Sequence, residues 1–158
     1  MTPWPTKRTG AVTELSFLTE LEWQGQPADG EGVCSLGAVD LGYSAPSQMG
    51  GLGRGANPES LLLAAVGSCY SITLARILKT ADLPFSHVRV AAEGRVIGFP
   101  TETQFDRIIV HPEIAGAGAD RVKDYARAAQ RARDRCFIGG VVRGSLDYRV
   151  GNLRLVGP

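Results

Sequence analysis

Eighteen successive residues, Leu61–Leu78 (LLLAAVGSCYSITLARIL), place apolar or small side chains on nearly every side of a helix. No other stretch of this 158-residue chain constrains the fold as much. A helix that is apolar all round must be covered all round. Its start is well marked: Asn57 suits the N-cap, Pro58 the first helical position, and Glu59 the positive end of the helix dipole. The helix is expected from Pro58 to about Ala81. Polar residues near its end, and Gly67-Ser68 within it, argue against a membrane span. One small sheet and one further helix cannot cover it on every side, so a second copy of the chain is the expected cover.

The flanking segments read as strands and one amphipathic helix. From Val12 to Trp23, the residues Leu15, Phe17, Leu21 and Trp23 alternate with Glu14, Glu20 and Glu22, predicting a half-buried strand. Val33–Leu36 and Val39–Tyr43 read as short strands, and Ser44–Asn57 as a glycine-rich loop without regular structure. Two more strands are expected around Val88–Val96 and Phe105–Val110. A second helix follows, capped by Asp120, with Val122, Tyr125, Ala126, Ala129 and Cys136 on its apolar stripe. A last strand runs from Val142 to Val150. The order β-β-β-α-β-β-α-β predicts a single α+β domain over 1–158, mostly antiparallel, with a loose arm at 1–11.

The charge balance, 17 basic against 16 acidic residues, offers nothing to nucleic acid or to an anionic membrane. The N-terminus lacks an apolar run of the secretory kind, and three cysteines are too few for a disulfide scaffold. A cytoplasmic setting is expected. His87 and His111 form no metal-binding spacing, and Gly50–Gly55 lacks the lysine of a phosphate loop, so neither a metal nor a cofactor is expected.

Two constellations could carry chemistry. Asn57-Pro58-Glu59-Ser60-Leu61 opens the apolar helix and Ser68-Cys69-Tyr70 sits in its middle; Cys136-Phe137-Ile138-Gly139-Gly140 follows the second helix. Taken alone, Glu59 reads as a helix N-terminal acid, Cys136 as a core residue and Cys69 as a small residue at a helix contact. Together, in this order, the motifs resemble those of the OsmC/Ohr family: N-P-E-x-L, then S-C-[FY], then a second cysteine. The resemblance runs from about Leu15 to Val150.

It implies an intertwined homodimer with two sites at the subunit interface. It also implies the reduction of organic hydroperoxides by a cysteine pair, recycled by a small or lipoyl-type dithiol. Cys69 would be the peroxidatic cysteine and Cys136 the resolving one. Glu59 would match the glutamate that holds an arginine over the reactive thiolate. A buried thiolate needs such a cation, which a carboxylate can only position. The chain departs from the family pattern here: Ala28 or Asp29 stands where relatives keep the arginine, and Arg54 becomes the candidate cation, with Arg8 a weaker one. Phe137 and Gly139 stand where proline and serine are usual. The competing expectation is a non-peroxidatic dimer of the same fold that binds a small apolar ligand at its interface. Cys34, in a short strand, reads as structural.

Overall fold

A computed structural model describes residues 14–157. The expected arm at 1–11, Val12 and Arg8 therefore lie outside the described residues. The first unit is an antiparallel sheet in the order β1-β2-β3, built from β1 (Glu20–Gln24), β2 (Glu31–Leu36) and β3 (Val39–Tyr43). A loop then leads into α1 (Pro58–Thr80). The second sheet comprises β4 (His87–Ile97), β5 (Gln104–Ala115), β6 (Asp147–Val150) and β7 (Arg154–Val156). β4 pairs antiparallel with β5, while β6 and β7 both run parallel to β5. Between β5 and β6 the chain forms α2 (Val122–Arg135) and α3 (Phe137–Arg143). The architecture is α+β and mostly antiparallel.

The start of α1 is held as its sequence suggests. Asn57 Oδ1 accepts from Ser60 N at 2.7 Å and Ser60 Oγ accepts from Asn57 N at 3.0 Å, a reciprocal cap. The loop ahead of it is tied back to β3: Ala56 N donates to Gly42 O at 2.9 Å and Ser44 N to Ala56 O at 3.0 Å. Gly55 makes this approach possible, since it sits at φ +65° and a Cβ there would collide with Gly42 O.

The core lies between one face of α1, the second sheet and α2. Val66, Tyr70, Leu74 and Leu78 are fully buried against Ile108, Val110 and Ile114 of β5. From α2, Ala128, Ala129 and Ala132 are buried. These small residues let the two helices approach closely, and Tyr70 Oη donates to Ala129 O at 3.1 Å across the contact. Tyr125 closes the far end, donating to Pro84 O at 2.6 Å and accepting from Gly118 N at 3.1 Å.

Several expectations need correction. The first strand is shorter than Val12–Trp23: it starts at Glu20, and Leu15, Phe17 and Leu18 stand outside it and exposed. Nor is β1 half-buried, because among the described residues no second layer covers it, and Leu21 and Trp23 are exposed too. The glycine-rich loop does hold a 3-10 turn at Ser47–Met49. Asp120 does not cap α2, since it lies in a 3-10 turn at Ala119–Arg121 that leads directly into the helix. Val122 and Ala126 face out, and the buried stripe is Tyr125, Ala128, Ala129 and Ala132. Cys136 is buried, but it stands at the junction of α2 and α3. Val142 belongs to α3, and β7 is an additional strand.

By length and composition, α1 could cross a membrane, with a mean hydropathy of 1.8 over its most apolar window. Gly67-Ser68 and the polar residues near its end therefore do not by themselves rule out a span. Its packing against β4, α2 and α3 makes it the core helix of the domain. The cover is one-sided, however: Ala64, Ala65, Ser68 and Ile72 remain exposed.

Candidate functional site

Helix α1 presents Cys69 to the wall of a cavity of about 770 Å³. The cavity is lined along α1 by Ala65, Ile72, Thr73 and Ile77, and on its other side by Phe137 and Ile138 of α3. Cys136 lies beneath this surface, 1% exposed. Its Sγ accepts from Gly139 N at 3.2 Å, so the sulfur caps the first turn of α3, and it is 3.9 Å from Val66 O on α1. The Cys69 and Cys136 thiols are interacting neighbours, and both are free. Burial, and next the adjoining Cys69 thiol, push the Cys136 thiol up to about 11; the Gly139 N–H and the Tyr148 hydroxyl oppose this. Cys136 is therefore a neutral thiol at neutral pH.

The short helix α3 places this sulfur, and Gly139 is central to it. A Cβ at position 139 would run into Cε1 of Tyr148 and lie 2.9 Å from its Cζ. Serine, usual at this place in the resembling family, has no room here. Gly139→Ser is expected to destabilise the fold by about 1–3 kcal/mol through overpacking. A urea titration should show the midpoint falling.

Glu59 is not brought to the cysteines. Ten residues of helix separate it from Cys69, about 15 Å along the axis. Its Oε2 is nevertheless buried, and among the described residues it has no hydrogen-bond partner. Arg54 is exposed in the loop ahead of α1; its backbone is pinned by Ser44 Oγ, with both hydrogen bonds at 2.8 Å, and it does not line the cavity. Asp29 Oδ1 accepts from Gln26 N at 3.1 Å within its own turn. Cys34 is buried in the first sheet, with Thr19 Oγ1 3.8 Å from its sulfur. His111 Nδ1 accepts from Asn152 N at 3.0 Å on the second sheet, and Nε2 lies 3.6 Å from Glu93.

The cations at the cavity were not foreseen. Arg76, Arg131 and Arg135 line it, and no carboxylate does. Several arginines elsewhere are ion-paired, such as Arg95 with Asp106, Arg107 with Asp147 and Arg154 with Glu113. Among the described residues, these three have no acidic partner. The signal for Arg76 was available, because it lies seven residues after Cys69, two turns along the same helix face and about 10 Å away. Arg131 and Arg135 follow the i, i+4 spacing that places both on one side of α2.

Comparison with known proteins identifies the family and the fold. The family model described as "OsmC-like protein" matches residues 51–150, which contain both cysteines and Glu59. An uncharacterized protein of Bacillus subtilis, YmaD, is 27% identical over 142 residues, covering 88% of this chain and 94% of its own. Among solved structures, an organic hydroperoxide resistance protein OsmC from Legionella pneumophila superposes with a TM-score of 0.70 at 20% identity, covering 89% of this chain and 99% of that one. A putative organic hydroperoxide resistance protein from Vibrio cholerae, with captopril bound in one of its active sites, gives 0.69 at 20% identity, covering 89% and 94%. The chain belongs to the OsmC-like protein family.

Proposed function

We propose that this protein is a thiol peroxidase that reduces organic hydroperoxides through Cys69 and Cys136. The observation that carries the reading is the pairing itself: one free thiol at a cavity wall, with a second free thiol directly behind it. The Cys69 thiolate attacks the terminal peroxide oxygen. The O–O bond breaks, the alcohol leaves with a proton, and Cys69 becomes a sulfenic acid. Cys136 then displaces that oxygen as water and forms a disulfide, which an external dithiol reduces by exchange. The cytoplasm, with its dithiol reductants, is the proposed setting. Consumption of cumene hydroperoxide and hydrogen peroxide, measured side by side with dithiothreitol, tests the reading. Faster turnover of the organic peroxide is expected. If neither is consumed faster than by the unfolded chain, the cavity belongs instead to a ligand-binding dimer. The absence of arginine at Ala28 and Asp29 favours that alternative.

Two further proposals go with this reading. The exposed face of α1, with the exposed Leu15, Phe17, Leu18 and Leu21, calls for a second copy of the chain. Glu59, out of reach of its own Cys69, fits a role in the site only across such an interface. Sedimentation should show a dimer at micromolar concentration, and a stable monomer would refute it.

Arg54 does not line the cavity, whereas Arg76, Arg131 and Arg135 share it with Cys69 and are placed to meet a substrate. An apolar wall ending in unpaired guanidinium groups suits a hydroperoxide with an anionic end. A hydroperoxide carrying a carboxylate should outperform its methyl ester. Arg76→Ala combined with Arg135→Ala should raise KM for the acid by about tenfold, as expected for lost charged hydrogen bonds, and leave the ester unchanged. Equal losses on acid and ester would show that the arginines act on Cys69 or the fold rather than on the substrate.

A further inference from the structure

Tyr148 has a side chain that packing alone does not explain. It lies on β6 opposite Ile108 of β5, 3% exposed, at the bottom of the core. Its hydroxyl is buried and has no hydrogen-bond partner among the described residues, unlike Tyr70 and Tyr125, whose hydroxyls donate to Ala129 O and Pro84 O. A buried phenol left unpaired is costly, and phenylalanine would fill the same space without that cost. The orphan hydroxyl is also placed beside the chemistry. It is 3.1 Å from the point where a Gly139 Cβ would stand, while Gly139 N is 3.2 Å from Cys136 Sγ. Ring and sulfur thus both flank Gly139 on the first turn of α3, and the Tyr148 ring fills the space that a side chain at 139 would take.

We infer that Tyr148 is the hydrogen-bond donor that carries Cys136 through disulfide formation. The inference rests on the reading of Cys69 and Cys136 as the working pair. In the resolving step, a lone pair on the Cys136 sulfur forms the S–S bond to Cys69. The S–O bond of the sulfenic acid breaks and its electron pair leaves with oxygen, which takes up the Cys136 proton and departs as water. The peroxide has already supplied the oxidising equivalents. Negative charge builds on the Cys136 sulfur as its proton leaves, and an O–H held beside it stabilises that charge more than the neutral thiol.

The surroundings support a donor and nothing else. Burial first, and then the Cys136 and Tyr70 neighbours, hold the Tyr148 phenol far above its ordinary range, so it keeps its proton. Tyr148 in turn opposes the upward push on the Cys136 thiol.

Tyr148→Phe tests the inference in two arms. In the first, single turnover with cumene hydroperoxide separates sulfenic acid formation at Cys69 from disulfide closure. Tyr148→Phe should leave the former unchanged and slow the latter about tenfold or more, the size expected for a hydrogen bond to a charged group. In the second, diamide replaces the peroxide: it adds to one thiol and is displaced by the other, so closure by Cys136 is measured with no peroxide chemistry. The same slowing should appear there, and alkylation of Cys136 should shift to higher pH. The melting temperature should hold or rise, because a buried unpaired hydroxyl has been removed. Closure at the wild-type rate in both arms overturns the inference, as does a fall in melting temperature with both steps slowed together. Failure of the peroxide arm alone, with the diamide difference intact, counts against the peroxidase reading and leaves Tyr148 with its role.

Discussion

Replacing Cys69 with serine is expected to abolish organic hydroperoxide turnover, leaving no more than the background of the remaining thiols. The first bond to form needs a nucleophile at the cavity wall, and Cys69 is the cysteine that lines it. Cys34 is buried in the first sheet, and Cys136 is a buried, neutral thiol pushed up to about 11. A serine hydroxyl matches the shape of the thiol but is far less acidic and far less nucleophilic. The substitution should not unfold the chain. Position 69 is at the margin of burial, 9% exposed, and serine in a helix can donate to a carbonyl of the preceding turn, as Ser68 Oγ does to Ala65 O at 3.1 Å. A melting curve close to wild type, together with loss of peroxide consumption, is the expected pair of results. Retention of more than a small fraction of the rate would move the nucleophile to another residue.

What could be read from the chain, and what could not, follows from how local each feature is. The helix around Cys69 was legible because its signals are all local: an Asn-Pro-Glu start and an unbroken apolar body. The inward orientation of Cys136 was legible for the same reason. Its adjacency to Cys69 was implied by the family resemblance alone, because it depends on α2 resting on α1 through Ala128, Ala129 and Ala132, a contact between positions some sixty residues apart. Helix α3 was missed because Gly139-Gly140 argues against a helix. The segment is helical because Cys136 caps it and because Gly139 alone fits under the Tyr148 ring. Arg76 was hidden by the apolar reading of α1, which asked what covers the helix and not what its seventh residue after Cys69 would face. The strand expected from Val12 failed in a different way: its alternation is present, but among the described residues no layer buries it. Glu59 is a related case, since its motif is local while its Oε2 finds no partner among the described residues.

Replacing Cys136 with serine should separate the two halves of the reaction. Without reductant, the variant should consume one equivalent of organic hydroperoxide per chain and then stop. Cys69 would be held as a sulfenic acid that a dimedone-type probe can label. The wild-type chain under the same conditions should end with a Cys69–Cys136 disulfide and Cys34 free, as peptide mapping without reduction would show. The contrast follows from where the sulfurs lie. Cys136 is next to Cys69 across the α1–α3 contact, whereas Cys34 is on β2 in the other sheet. The variant should remain folded, because a serine hydroxyl can accept from Gly139 N at the start of α3 as the sulfur does. Reductant must be left out, since a small dithiol could attack the sulfenic acid directly and restore turnover without any resolving cysteine. Excess peroxide should then drive Cys69 of the variant on to the sulfinic acid, while the wild type is protected by its disulfide. Closure of a bridge through Cys34, or overoxidation of the wild type at the same rate as the variant, would remove Cys136 from the mechanism and leave it as a core residue that caps a helix.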